Sequence, residues 1–293
     1  MLLPGGSPEL QPISVVTGGH TGLGLAIARE LIECGSHVVL TSRRAQAATG
    51  TAAALRRMLA SETKDDVKVV SAYPHPLDVR KGRSVETFYR YMDERYGGRV
   101  DILVNNAAVC PLGWTRSVTQ DVWRTNLLGP MAMTEGALPG MLRRRCGHVI
   151  NVSSGDGELI CLNTDLKEAL TTASSPSALL RAVVQCNPPR EAFGPSPAFG
   201  PTPAYSVSKA ALNAYTRIKA ASLPSPESCG VRMSAICPGD VLTRMCTDPD
   251  ARRVAVPPAV AARDVVRVCR AGLDDTSTLP SGRFWRHCQE ISF

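Results

Sequence analysis

From residue 13 onward, short β-branched runs alternate with stretches of helical apolar spacing, and this rhythm leaves few folds open. "ISVVTGG" (13–19) reads as a buried strand, and "LGLAIARELIECG" (23–35) as a helix ending on glycine. The pattern continues with a strand at 37–42, a helix through 53–62, a strand within 67–79, a helix at 84–96 and a strand at 100–109. It resumes with a helix through 121–145, a strand at 147–154, a helix at 204–222, a strand at 231–239, a helix at 258–271 and a short strand near 282–285. Strands separated by helices run parallel and are joined by right-handed crossovers. The expected fold is α/β: one doubly wound domain over 1–293, a parallel sheet with helices on both faces.

Residues 155–203 break the rhythm. Ser175 and Pro176 start a helix whose apolar face is Leu179, Leu180, Val183 and Val184. Residues 187–203 then hold six prolines and no regular period. A linker here would split two neighbouring strands, so an ordered insertion draped over the domain is expected.

Several functions are disfavoured by composition. No apolar run approaches the roughly 20 residues that span a bilayer, and "MLLPGGSPELQP" lacks the basic start and long apolar segment of a secretory signal. The ten cysteines include no C-x-x-C pair, so neither a metal site nor a disulfide framework is expected. Reduced thiols suit a cytoplasmic protein. The net charge of +7 comes with only 5% aromatic residues, too few for base-stacking platforms, so no nucleic-acid partner is expected. An anionic cofactor or substrate explains the charge more simply.

The chemistry begins at "TGGHTGLG" (17–24), where Gly18, Gly22 and Gly24 stand between the first strand and helix. Glycines there let a turn tighten and let backbone N–H groups approach a pyrophosphate at a helix N-terminus. His20 reads as an exposed spacer. Arg43 follows Gly24 by 19 residues, and no Asp or Glu occurs from Gly35 through Ser61. A 2′-phosphate would find a partner at Arg43, whereas a free 2′-hydroxyl would lack its usual acceptor, so NADP(H) is expected over NAD(H). Tyr205 and Lys209, in "YSVSK", lie four apart and share one helix face.

In this order and spacing the motifs resemble those of the short-chain dehydrogenase/reductase family, over residues 13 to about 290. "TGGHTGLG" is similar to its glycine motif, "NNAA" (105–108) to its Asn-Asn-Ala-Gly strand end, and "LDV" (77–79) to its adenine-contacting segment. "NVSS" (151–154) resembles its serine strand, "YSVSK" (205–209) its active-site motif and "CPGDVLT" (237–243) its Pro-Gly segment. Ala108 departs from the usual glycine. The resemblance implies a Rossmann-like fold and a catalytic set of Asn126, Ser154, Tyr205 and Lys209. Tyr205 would be the general acid, Ser154 would bind the substrate oxygen, and Asn126 would hold a water linking Lys209 to solvent. Strand alternation lets only one of Ser153 and Ser154 face the cleft, and the family pattern selects Ser154. The implied cofactor residues are Gly18, Gly22, Leu23, Gly24, Arg43, Asp78, Val79, Asn105, Ala107, Tyr205, Lys209, Pro238, Gly239 and Thr243. Asp78 could instead cap a turn, and Thr243 a helix.

An ammonium about 5 Å from the phenol, at an effective dielectric near 20, would favour the phenolate by about 3 kcal/mol. That lowers the Tyr205 pKa by roughly two units from about 10. The insertion and the terminal "SGRFWRHCQEISF" resemble those of carbonyl reductase-type members. These imply a monomeric NADPH-dependent reductase of aldehydes, ketones or quinones, with residues 240–258 as a substrate loop. A dehydrogenase of a steroid, retinol or other secondary alcohol, a non-catalytic NADPH-binding sensor, and an insertion acting only as a lid are the alternatives.

Overall fold

The computed structural model describes residues 11–62, 70–73, 75–113, 115–185, 202–273 and 279–292. The first half follows the expected alternation: β1 (Ile13–Val16), α1 (Gly22–Glu33), β2 (His37–Leu40), α2 (Ala45–Glu62), β3 (Val70–Ala72), α3 (Gly82–Tyr96) and β4 (Ile102–Asn105). Next come α4 (Arg116–Trp123), a π-turn over Arg124–Leu128, α5 (Gly129–Arg144) and β5 (Gly147–Val152). The single helix expected at 121–145 is thus longer and interrupted. A π-turn displaces side chains from the 3.6-residue period, which hides it from a periodicity reading.

The second half contains α6 (Thr164–Thr172), α7 (Pro176–Gln185), α8 (Pro203–Ala221), α9 (Pro226–Cys229), β6 (Val231–Cys237), α10 (Pro249–Val254), α11 (Pro258–Ala271), β7 (Arg283–Arg286) and β8 (Gln289–Ile291). These strands form one sheet in the order β3-β2-β1-β4-β5-β6-β7-β8. Every pairing is parallel except the last. The β7–β8 hairpin was not expected. Its two turn residues, His287 and Cys288, have φ of 50° and 58°, where Asn-Gly would have announced the turn.

Both faces of the sheet are covered, so its central strands are apolar on both sides. Val15, Leu103 and Val149 join the core beneath α3, α5 and α8. Their neighbours Val16, Val104 and Ile150 join the core beneath α1, α2 and α11. All strand C-termini in the parallel part therefore open along one edge, on either side of the β1–β4 crossover point, where ligands of such sheets bind.

The insertion is helical where described, and its chain packs on α8. Leu166 and Leu170 of α6, and Leu179 and Val183 of α7, enter the core that holds Leu212 and Tyr215 of α8. Arg217 of α8 donates to the carbonyls of Leu170, Thr171 and Ala173 at 2.9–3.0 Å, satisfying the open end of α6. Val184 departs from the expected apolar face, for it is 62% exposed. α7 makes only about three turns, so its burial stripe is narrow and ends at Val183. The Pro-rich stretch of 187–203 lies outside the described residues except for its last two positions.

Candidate active site

The turn between β1 and α1 closes through what its glycines lack. Gly18 and Gly22 have φ of +64° and +55°, a region that disfavours any Cβ. A Cβ on Gly24 would lie 2.4 Å from Asn106 Nδ2 and 2.6 Å from the Gly18 carbonyl oxygen. The turn is stitched to the end of β4: Asn106 Nδ2 donates to the Thr17 carbonyl at 2.9 Å, and the Asn106 and Ala107 amides both donate to Thr17 Oγ1 at 3.0 Å.

This turn forms one wall of a cavity of about 470 Å³. Gly18, Gly22, Leu23, Gly24, Arg43, Asp78, Val79 and Ala107 line its glycine-turn side, where Thr243 joins them, and Ser154, Tyr205, Lys209, Pro238 and Gly239 line the rest. Positions more than 180 residues apart thus meet, and the size suits a dinucleotide-type ligand or substrate. Two expected residues do not line it. Asn105 lies behind the wall, 3% exposed, donating to Asn151 Oδ1 at 2.9 Å; period-two alternation turns it inward and brings Asn106 forward. Asn126 is fully buried in the π-turn, where its amide group accepts from Val109 N at 2.9 Å and donates to Val109 O and Ser208 Oγ at 2.9 and 3.1 Å. It pins the Val109 backbone beside the cavity.

Tyr205 and Lys209 face the cavity from the first turns of α8, and the Lys209 ammonium lies 5.4 Å from the phenol ring centre. Lys209 Nζ donates to the Val152 carbonyl at 2.6 Å. Burial pushes the Lys209 pKa down to about 8, against opposing pulls from Cys110, Cys237 and Asp156. The expected depression of the Tyr205 pKa does not occur in the protein alone. Burial raises it, with Cys110 next, while a hydrogen bond with the Ser154 side chain pulls it down. The cost of burying a phenolate exceeds what a partly neutralised lysine offers.

Ser154 is the serine turned to the phenol; it also accepts from the Asp156 amide at 3.2 Å. Ser153 Oγ donates instead to the Lys209 carbonyl at 3.4 Å. Asp78 both lines the cavity and caps a turn. Its carboxylate accepts from the Arg80 amide at 3.1 Å and from the Arg80 guanidinium at 2.9 Å, and that hydrogen-bonded ion pair holds its pKa below the usual carboxylate value. Thr243 caps no helix, since Asp248 caps α10. Its hydroxyl accepts from Met245 N at 3.2 Å, and its methyl would meet a Cβ on Gly22 at 3.4 Å, so the loop after β6 reaches across to the glycine turn. The bridge between Val241 and Val256 closes that loop at its base.

Cys110 and Asp156 line the cavity although the sequence reading did not single them out, and Asp240 and Met245 line it from within the expected substrate loop of 240–258. Burial and the carboxylates of Asp240 and Glu158 raise the Asp156 pKa. An acidic "GDGE" directly after the serine strand was the available signal. His20 is half-buried and lines the cavity, so it is no exposed spacer. The glycine cradle, the Arg43 side and the paired phenol and serine fit a nicotinamide dinucleotide.

Among the described residues no helix is long and apolar enough to cross a membrane. The family profile described as short chain dehydrogenase matches residues 12–163. (+)-Neomenthol dehydrogenase of Arabidopsis thaliana is 29% identical over 264 residues, covering 81% of this chain and 85% of that protein. With three other curated relatives the match spans about half their length, 45–54%. The solved salutaridine reductase of Papaver somniferum superposes with a TM-score of 0.77 at 24% identity, over 94% of this chain and 99% of that one. A metagenomic short-chain oxidoreductase in complex with NADP gives 0.64 at 23%, over 95% and 98%. Glycine turn, serine strand and Tyr-x-x-x-Lys helix meet at one cavity of a doubly wound sheet, and with the profile match over half its length the chain belongs to the short-chain dehydrogenase family of oxidoreductases, which bind a nicotinamide cofactor.

Proposed function

We propose that the chain is an NADP(H)-dependent oxidoreductase that reduces the carbonyl of an aldehyde, ketone or quinone to an alcohol. The observation that carries this reading is the buried Tyr205 phenol, hydrogen-bonded with Ser154 and facing the cavity that the glycine turn and Arg43 also line. When bound, the reduced nicotinamide supplies the hydride. The chain's own residues manage the oxygen. Burial keeps Tyr205 protonated, as a general acid requires, and its hydroxyl delivers the proton to the developing alkoxide. Ser154 Oγ donates to the same oxygen and fixes its position. Lys209, beneath the phenol, is positioned by the Val152 carbonyl to support the tyrosine as it loses its proton. Asn126 acts one layer back through Val109.

Arg43 and Arg44, in a stretch without carboxylates, support NADP(H) over NAD(H). The metagenomic neighbour solved with NADP is consistent with that preference. The packing of α6 and α7 on α8 supports a monomer, because it occupies a helix face that a partner subunit would need. Sedimentation equilibrium showing a stable tetramer would remove that part. The cysteine pattern of the sequence, ten residues without a C-x-x-C pair, supports a cytoplasmic setting.

The test is NADPH oxidation by purified protein with an o-quinone, isatin, an aromatic aldehyde and an α-dicarbonyl, alongside Tyr205→Phe. Turnover that disappears in the variant supports the reading. Equal turnover in both proteins removes Tyr205 from the acid role. NADPH binding without turnover on this panel leaves either a carbonyl outside it or the non-catalytic sensor.

A further inference from the structure

A second cavity adjoins the glycine turn, lined by His20, Ser42, Arg43, Arg44, Arg80 and Lys81. Resting on the NADP(H) reading above, we propose that His20 is a specificity-determining residue that binds the cofactor's 2′-phosphate and makes the preference for NADP(H) over NAD(H) grow as the pH falls. The geometry carries this. His20 borders both cavities, and its Nδ1 is buried without a hydrogen-bond partner among the described residues. Its main chain is fixed, since Thr51 Oγ1 of α2 donates to the His20 carbonyl at 3.2 Å. The imidazole thus stands at the edge of a basic cavity with hydrogen-bonding capacity left open.

The charges around it agree. Arg43 and Arg44 face it from the turn after β2, and both disfavour its protonation. Asp78, Arg80 and Lys81 line the cavity from the turn before α3. The Asp78 carboxylate is engaged by Arg80 at 2.9 Å, with Asp121 further along at 3.4 Å, so it does not neutralise the arginines beside His20. From the loop after β6, Asp240 and Arg244 line the larger cavity and carry opposite charges. The side facing His20 is net positive and suits a dianion.

Without ligand, burial and then Arg44 and Arg43 lower the His20 pKa from its ordinary value. A phosphate between the imidazole and the guanidiniums reverses the balance by accepting from an imidazole N–H and attracting the positive form. The bound pKa then exceeds the free one. Affinity for a 2′-phosphate strengthens as pH falls through the bound-state value and levels off below the free-state value. NAD(H), with a hydroxyl there, gains nothing. Protonation of the phosphate itself, near pH 6, weakens binding equally with or without the imidazole.

The experiment measures Kd for NADPH and for NADH at pH 6, 7 and 8 by nucleotide fluorescence, on wild type, His20→Asn and His20→Gln. The expected NADPH-over-NADH ratio of wild type, relative to either variant, grows from pH 8 to pH 6, by about tenfold for each unit the phosphate adds to the imidazole pKa. Parallel pH slopes in wild type and variants overturn the role of His20 and leave the NADP(H) reading standing. NADH bound as tightly as NADPH at every pH overturns both. Should the variants fail to fold, titration calorimetry of wild type at pH 7 in two buffers of different ionisation heat reads the proton directly. Uptake with NADPH beyond that with NADH is expected, and equal uptake overturns the proposal.

Discussion

Around the glycine turn, position is set by groups that are absent or short, whereas across the insertion it is set by large apolar groups and one long cation. The turn depends on a missing Cβ at Gly24 and on the side chains of Thr17 and Asn106, each bonded to the other's main chain. The insertion depends on Leu166, Leu170, Leu179 and Val183 finding α8, and on Arg217 closing α6. The first device leaves no free space for a side chain at Gly24. The second tolerates substitution that keeps volume, which is the general behaviour of packed cores. α8 joins the two regions, for it bears Tyr205 and Lys209 toward the cavity and receives α7 on another side.

The sharpest way to test this division is Tyr205→Phe. Losing the proton donor lowers kcat by about 10²–10⁴-fold, while NADPH affinity, read by fluorescence titration, stays near that of wild type. A comparable loss of affinity would mean that the two ends of the cavity do not act separately. Leu179→Ala, which empties a fully buried site between α7 and α8, destabilises the protein by about 2–5 kcal/mol in urea unfolding. NADPH affinity of the folded protein is expected to hold, and a large loss would break the comparison by coupling the insertion to the cofactor end.

Lys209 supplies a pH test. Its folded pKa of about 8 lies below the ordinary 10.5, so the unfolded chain binds the extra proton between those values. Its contribution to stability is therefore lowest below pH 8 and rises toward pH 10.5, by about 3 kcal/mol. Melting of wild type against Lys209→Met should show any advantage of the variant shrinking across that window. A constant difference would mean that Lys209 titrates normally. The smallest expected effect is Gly24→Ala, where the added methyl meets Asn106 and the Gly18 carbonyl; overpacking of this kind costs about 1–3 kcal/mol. NADPH affinity should fall with it, in contrast to Leu179→Ala. Unchanged affinity would show that the turn can yield without losing its ligand.

Much of this division was legible in the residues. The helical face shared by Tyr205 and Lys209, and the placement of three glycines between a strand and a helix, are local facts that period and spacing report directly. That α7 would lie on the domain was also anticipated, because a short amphipathic helix must bury its stripe on something near. Val184 escaped because a stripe does not reveal where its partner surface ends. The π-turn around Asn126 escaped because it breaks the period by which helices are recognised.

The sequence by itself determined the alternation of strands and helices, hence the parallel sheet, and the residue types gathered at its C-terminal edge. Only the tertiary structure decided which of them share a cavity. Asn106 stands forward and Asn105 behind, His20 turns into a basic pocket, and Asp156 and Cys110 join the catalytic end. It also set the protonation of Tyr205 and Lys209, for a pKa depends on how much water the surrounding chain removes, and no local pattern encodes that exclusion.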